Sequence, residues 1–378
     1  MRILIINSEY PPIGGGAGNA SANLGRLFVA KNHEVSVLTT RFRGLAHQEI
    51  RDGIHIHRIP AMRKNFDRSG PLEQVSFIVL GCLSIISFVR TWKPDIVVAF
   101  FGIPSGVIAW FAHKLFGLPY VVSLRGGDVP GFRPYDFAIY HRMVAPVLRW
   151  VWRKGAAVVA NSDGLKTLAN GFEKEIPIRV IPNGIDLNTY QPAQRMWSPP
   201  HLLFVGRLVY QKGLDLLIEA LSTLKDIPWK LSIVGDGPQS ELLQNMTEKL
   251  GLAERIEFLG WQAREALPEF YQKANLFIFP SRHEGMPNAV LEAMACGLPV
   301  IASRIAGNEE LVENDETGLL VEPENISSLR GALEKLLLNE ARCRKMGEQG
   351  RQRVESAYSW NGVADKYLEL LQQILEQP

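Results

Sequence analysis

Residues 276–302 read LFIFPSRHEGMPNAVLEAMACGLPVIA, and this stretch decides the fold. The apolar run Leu276–Phe279 has the length and composition of a buried strand, and Pro299–Ala302 repeats it. Between them, Pro287 suits a first helical turn because its missing N–H would be unpaired there anyway. Gly297 followed by Pro299 makes a stop. A short helix from about Pro287 to Cys296 thus separates two strands, with residues 280–286 as the loop beyond the first strand's C-terminal end. Strand, helix and strand in this order build a parallel sheet, and ligands of open parallel sheets gather at that end of the strands.

The same alternation runs outward in both directions. Strands are expected at His201–Val205, Lys230–Val234, Ile256–Leu259 and Gly318–Val321. An earlier series reads Ile3–Ile6, Val35–Leu38, Ile54–Ile59, Ile96–Ala99, Tyr120–Ser123, Val158–Ala160 and Arg179–Ile181. A chain of 378 residues exceeds what one core usually organises. The reading is therefore α/β, with two lobes that are each a parallel sheet covered by helices on both faces. The first lobe is expected over residues 1–186 and the second over 201–358, joined by a linker at 187–200 that is rich in Pro, Gln and Ser without a clear period. A last helix, within 359–378, either caps the second lobe or crosses back to the first.

Composition narrows the class. Hydrophobic residues make up 46% and charged residues 21%, which suits a globular chain with sizeable cores. Cys82, Cys296 and Cys343 are far apart and lack metal-ligand spacing, so neither a disulfide framework nor a structural zinc site is expected, and a reducing compartment fits. Ile3–Ile6 is too short for a signal-peptide core. The longest apolar stretch, Val75–Val89, falls short of the roughly 20 residues of a spanning helix and reads as a buried helix. These features point to a cytoplasmic protein.

Charge is divided unevenly. Residues 1–190 carry 22 Lys/Arg against 13 Asp/Glu, and residues 191–378 carry 19 against 26, so the first lobe is suited to an anionic partner. Arg142, Arg149, Arg153 and Lys154 stand beside Trp150 and Trp152 on a helical pattern, a combination that suits peripheral contact with the inner face of an anionic membrane. The competing reading is a helix that packs Val144, Val147, Leu148 and Val151 inward and keeps a solvated basic face.

Several residues carry chemistry. Glu284 lies in the loop after a strand, beside Gly285. Glu292 lies one turn into an otherwise apolar helix, where a capping box would need its acid at position 291, which is leucine. It can instead accept hydrogen bonds from paired hydroxyls such as those of a ribose. The N-terminus of that helix suits a diphosphate. Arg207, just past a strand, and Lys212, at the mouth of the next helix, can grip phosphate oxygens. The loop Pro11–Gly18 nearly matches a dinucleotide fingerprint. Its third glycine is Ser21, however, and the second strand ends Leu38-Thr39-Thr40 without the acid expected for a ribose, which disfavours a nicotinamide cofactor.

The pattern E-G-x-x-x-x-x-L-E-A-M-A-x-G-x-P-V over Glu284–Val300 resembles the signature of the retaining glycosyltransferases of family 4, which have the GT-B fold of two Rossmann-like lobes with a donor cleft between them. The resemblance implies that Glu284 lies beside the donor sugar and leaving phosphate and that Glu292 binds the ribose. Gly206, Arg207 and Lys212 match the family's diphosphate clamp, G-R-L-x-x-x-K-G, and Gly235 its G-D-G-P loop near the base. Gly285, Met286, Asn288, Ala289 and Val290 fall within the donor-binding motif. Gly15 and Gly16 match a pair that closes over the donor phosphates, and Asn183 lies in the crossing segment Ile181–Asp186.

One position departs from the family. Where many members carry a histidine, this chain has Arg125, which can act only electrostatically or by position, while nearby Asp128 is placed to orient a sugar hydroxyl. No D-x-D sequence occurs, so no metal and no cofactor are expected. The implied reaction moves a hexose from a UDP- or GDP-sugar to a hydroxyl of a glycan, lipid-linked or small-molecule acceptor, with no nucleic-acid partner. A sugar-nucleotide epimerase of the same architecture and a noncatalytic sugar-nucleotide-binding protein are the alternatives.

Overall fold

The computed structural model describes residues 1–65, 69–132 and 134–376. The chain divides into two compact units, Met1–Gly184 with Trp360–Pro378, and Ile185–Ser359.

The first unit contains β1 (Arg2–Ile6), β2 (Glu34–Thr40), β3 (Gln48–Arg51), β4 (Ile54–Ile59), β5 (Ile96–Phe100), β6 (Tyr120–Ser123), β7 (Ala157–Ala160) and β8 (Ile178–Val180). They form one sheet in the order β3-β4-β2-β1-β5-β6-β7-β8. Every neighbouring pair is parallel except β3 with β4. The sheet is therefore not wholly parallel as expected. Its edge strand is polar and largely exposed, and folds back through Asp52-Gly53, whose φ angles of 51° and 76° suit a two-residue hairpin turn.

Both faces of this sheet are covered, which is why its central strands read as unbroken apolar runs. Ile3, Ile5 and Val98 share a core with Leu24 and Phe28 of the helix Gly16–Ala30 and with Val363, Tyr367 and Leu371 of the terminal helix Trp360–Glu376. That terminal helix thus belongs to the first unit. On the opposite face Leu4, Ile6 and Val97 pack with Phe77, Ile85, Ile108, Leu148 and Val151.

Two expectations are corrected on this face. The apolar stretch around Val75–Val89 belongs to a helix of 22 residues, Pro71–Trp92, which is long and apolar enough to cross a membrane by length and composition, and only 28% of its most apolar window is buried. Its interrupting Ser and Gly residues do not end the helix, because Gly81 lies in the contact with Ile108, where a Cβ would not fit. In the helix Pro134–Lys154, Trp152 is buried beside Leu148 and Val151, whereas Val147 faces outward and Trp150 is exposed.

The second unit contains β9 (His201–Val205), β10 (Lys230–Val234), β11 (Ile256–Phe258), β12 (Leu276–Phe279), β13 (Val300–Ser303) and β14 (Gly318–Val321), all parallel, in the order β11-β10-β9-β12-β13-β14. The chain winds from β9 to one side and then returns to lay β12 on the other. The switch between β9 and β12 opens a crevice at their C-terminal ends. Residues 187–200 are no free linker. Tyr190 is buried in this unit's core, and the Arg195 guanidinium donates to the carbonyls of Gln272, Cys296 and Gly297, tying an aperiodic segment down by polar anchors.

Candidate active site

The loops after β9, β10 and β12 meet backbone on backbone at the switch point of the second sheet. Gly235, at φ +133°, leaves no room for a Cβ, which would stand 1.9 Å from Gly206 O; at Gly213, φ +67°, a Cβ would stand 2.1 Å from Pro280 O. The Arg282 N–H donates to Gln211 O at 2.7 Å, and the Gln211 side-chain amide donates to His283 O at 2.5 Å. These contacts bring the two motifs together: Lys212 Nζ lies 2.5 Å from Glu284 Oε1 and 4.7 Å from the centre of the Phe279 ring. Lys212 is mostly covered, while Arg207 is exposed.

Arg282 stands next in sequence to the site but serves the scaffold. Its guanidinium is buried against the Tyr210 ring, with hydrogen bonds to both carboxylate oxygens of Asp215 and one to Glu324. This network holds the Tyr210–Lys212 turn in place, a role that no sequence pattern marks.

The helix that follows the Glu284 loop spans Asn288–Ala295 with Pro287 at its cap, and no side chain caps it. Asn288 and Ala289 are half-buried at its start. Val290, expected among the donor residues, is wholly buried and its N–H is bonded to Pro287 O; Met286 is likewise packed in the core. Both side chains support the loop instead of lining it, because the helix is apolar on the side that faces the sheet.

Glu292 is 8% exposed and accepts a hydrogen bond from the Tyr271 hydroxyl at 2.8 Å. Burial pushes its pKa above the usual carboxylate range, against the opposing pull of Tyr271, Arg264 and Tyr190. Tyr271 comes from the helix Leu267–Lys273 and Tyr190 from the segment read as a linker, so neither carries a signal within the motif itself. Among the described residues, no group of three or more His, Cys, Asp or Glu side chains could hold a metal ion.

In the first unit the loops after β1, β5 and β6 stand at the matching switch point. Gly15 caps the helix Gly16–Ala30, and a Cβ on it would meet nothing within 4 Å. Asn7, at the end of β1, fastens that helix by donating to Ala17 O and Ser21 Oγ, which gives Ser21 a structural task.

Arg125 extends from β6 across the Phe100 ring at 4.4 Å. Its guanidinium donates to Asn183 Oδ1 at 2.7 Å, to Ser123 Oγ at 2.8 Å and to the Tyr367 hydroxyl at 3.3 Å. Asp128 is not available to a sugar. It is buried, and its carboxylate accepts backbone N–H groups from Arg125, Gly126 and Gly102, pinning the loop after β6 to the loop after β5.

Comparison with known proteins agrees with this geometry. Residues 194–353 match the family model described as glycosyl transferases group 1, and residues 15–184 match the glycosyl transferase 4-like domain. The chain is 28% identical over 396 residues to glycogen synthase of Mycobacterium tuberculosis, covering 96% of this chain and 92% of that one. It is 26% identical over 397 residues to a GDP-mannose-dependent alpha-(1-6)-phosphatidylinositol monomannoside mannosyltransferase of the same organism, covering 98% of each. The fold matches sucrose-phosphate synthase of Thermosynechococcus elongatus with a TM-score of 0.88 at 23% identity over 100% of both chains.

Proposed function

Because the chain belongs to the family-4 type of GT-B glycosyltransferases, which take nucleotide-sugar donors, we propose that it transfers a hexose with retention of configuration and without a metal ion. The donor is a UDP- or GDP-sugar, and the acceptor is a hydroxyl of a glycan or a lipid-linked saccharide. The names of two relatives, a glycogen synthase and a phosphatidylinositol monomannoside mannosyltransferase, support that range of acceptors.

The observation that carries the reading is the Lys212–Glu284 pair at the switch point of the second sheet. A departing nucleoside diphosphate gathers negative charge. Lys212, the exposed Arg207 and the N-terminus of the helix Asn288–Ala295 supply positive potential on the same side of the sheet, the task a metal performs in other transferases. Glu284 then orients the sugar through its hydroxyls, with Lys212 holding the carboxylate in place. The bond from the anomeric carbon to the phosphate oxygen breaks, the acceptor oxygen bonds to that carbon on the same face, and the leaving phosphate oxygen takes the acceptor's proton. Glu292 and Tyr271 receive the ribose.

The test is transfer by purified protein in EDTA, after a thermal-shift panel of nucleotide sugars has identified the donor. Full activity in the chelator and a product of unchanged anomeric configuration by NMR are expected. Activity abolished by EDTA and restored by manganese, or an inverted product, refutes the reading.

A further inference from the structure

The outer faces of the helices Pro71–Trp92 and Pro134–Lys154 carry an apolar surface that neither core uses. Leu72, Val75, Val79 and Leu83 form a stripe along the first helix, with Leu72 74% exposed. Ile139, Met143, Val147 and Trp150 form a stripe along the second, with Ile139 80% exposed. The spacings of three and four residues put each set on one side of its helix. The Tyr140 hydroxyl donates to Gln74 Oε1 at 2.9 Å, so the two helices run side by side there.

Among the described side chains, the exposed charges that these helices carry are of one sign. Lys154 stands 5.6 Å from the Trp150 ring centre and Lys114 5.6 Å from that of Trp110, while Arg142 is exposed between the apolar residues. Trp110 and Trp150 themselves meet edge to face at 6.2 Å. Glu73, on the first helix, is buried and spends its carboxylate on the N–H groups of Lys64 and Gly70. Among the described side chains, the two helices and the Gly106–Phe116 helix between them expose no carboxylate. At one margin Glu173 pairs with Arg149 and Arg153, and Glu175 also meets Arg153.

The geometry points to this face as a docking surface for an anionic lipid bilayer, with the apolar stripes entering the headgroup–acyl boundary and Arg142, Lys114 and Lys154 meeting lipid phosphates. Lysines beside tryptophans suit that boundary, where an aromatic body and a cationic tip are both accommodated. The helix Pro71–Trp92 lies on the surface and does not span, because Phe77, Ile85 and Val89 are committed to the core beneath it. A second copy of the chain fits less well: a two-fold interface would set Lys114, Arg142 and Lys154 against their own copies. On its inward side the helix Pro134–Lys154 also meets the loop that carries Arg125, since the buried His141 has its Nε2 2.9 Å from Gly127 O. Docking would hold that loop near the headgroups.

Flotation of the full chain with vesicles of phosphatidylcholine alone, and of phosphatidylcholine with phosphatidylglycerol, tests this directly. Binding to the anionic vesicles only, weakened by salt, is expected. Val75→Asp with Met143→Asp, and separately Arg142→Glu with Lys154→Glu, should each lower the bound-to-free ratio about tenfold or more. Leu242→Asp, at an exposed position of the second unit, should leave the ratio unchanged. Unaltered thermal midpoints confirm that the variants fold. Absence of flotation, equal binding to neutral vesicles, or binding that both double variants retain overturns the proposal. So does a concentration-dependent dimer, seen by sedimentation, that the same aspartate variants dissociate.

Discussion

Lys212 Nζ and Glu284 Oε1 lie 2.5 Å apart, with the ammonium also facing the ring of Phe279. The cation proposed for the phosphate and the acid proposed for the sugar are therefore one ion pair. Lys212→Ala should lower kcat about a hundredfold or more, since it removes charge directed at the leaving group. It should also destabilise the fold by about 1–3 kcal/mol, because the mostly covered Glu284 carboxylate loses its partner. Lys212→Met combined with Glu284→Gln separates the two effects: urea unfolding should return toward the wild-type midpoint while turnover stays low. Recovery of turnover in the double variant would remove both residues from the reaction.

Burial raises the pKa of Glu292, so its folded form holds a proton more tightly than the unfolded chain does. Its contribution to stability is then full below the ordinary carboxylate pKa and is lost as pH rises through the raised one. Glu292→Gln cannot titrate. The thermal midpoint of this variant should fall less than that of the wild type between mild acid and neutral pH, while the midpoint shift given by a nucleotide sugar disappears. A midpoint–pH curve parallel to the wild type would place the carboxylate in an ordinary aqueous environment. Tyr271→Phe should weaken donor binding without altering the sign of the pH effect, as its hydroxyl only opposes the desolvation.

The strands, the loop–helix motif and the positions of Glu284, Glu292, Arg207 and Lys212 were legible because a buried parallel strand is a continuous apolar run and a site at its end is local in sequence. What escaped was non-local or polar. Strand β3 is an exposed Gln-Glu-Ile-Arg segment whose one cue was the Asp52-Gly53 turn. Tyr271 lies 21 positions from Glu292 on a helix of ordinary pattern. Arg282 and Asp128 look like site residues by type and position, yet both are spent on the scaffold. Val290 shows the converse: the motif includes it, and the core claims it.

Arg125 is held by Asn183 from one side and by Tyr367 of the terminal helix from another, over the Phe100 ring. Arg125→Ala should cut transfer to acceptor by about tenfold or more while slow donor hydrolysis persists, since removing a charge-assisted anchor costs about 1.5–3 kcal/mol. Arg125→Lys should rescue poorly, because an ammonium cannot make the forked contacts of the guanidinium. Tyr367→Phe should raise the acceptor KM more than it lowers kcat. Equal loss of hydrolysis and transfer would instead mark Arg125 as part of the donor side.

Gly15 and Gly235 make a contrasting pair of glycines. At Gly235 the φ of +133° and the carbonyl of Gly206 both oppose a side chain, so Gly235→Ala should cost about 2 kcal/mol or more and lower the urea midpoint. Gly15 has a φ of −127° and open space where a Cβ would go, so Gly15→Ala should change stability by less than about 0.5 kcal/mol. If the loop after β1 approaches a donor phosphate through its backbone, that same methyl group blocks the approach. Gly15→Ala should then lose turnover with its unfolding curve intact. A variant as active as the wild type would restrict the loop to holding the start of its helix, where Asn7 already fastens it.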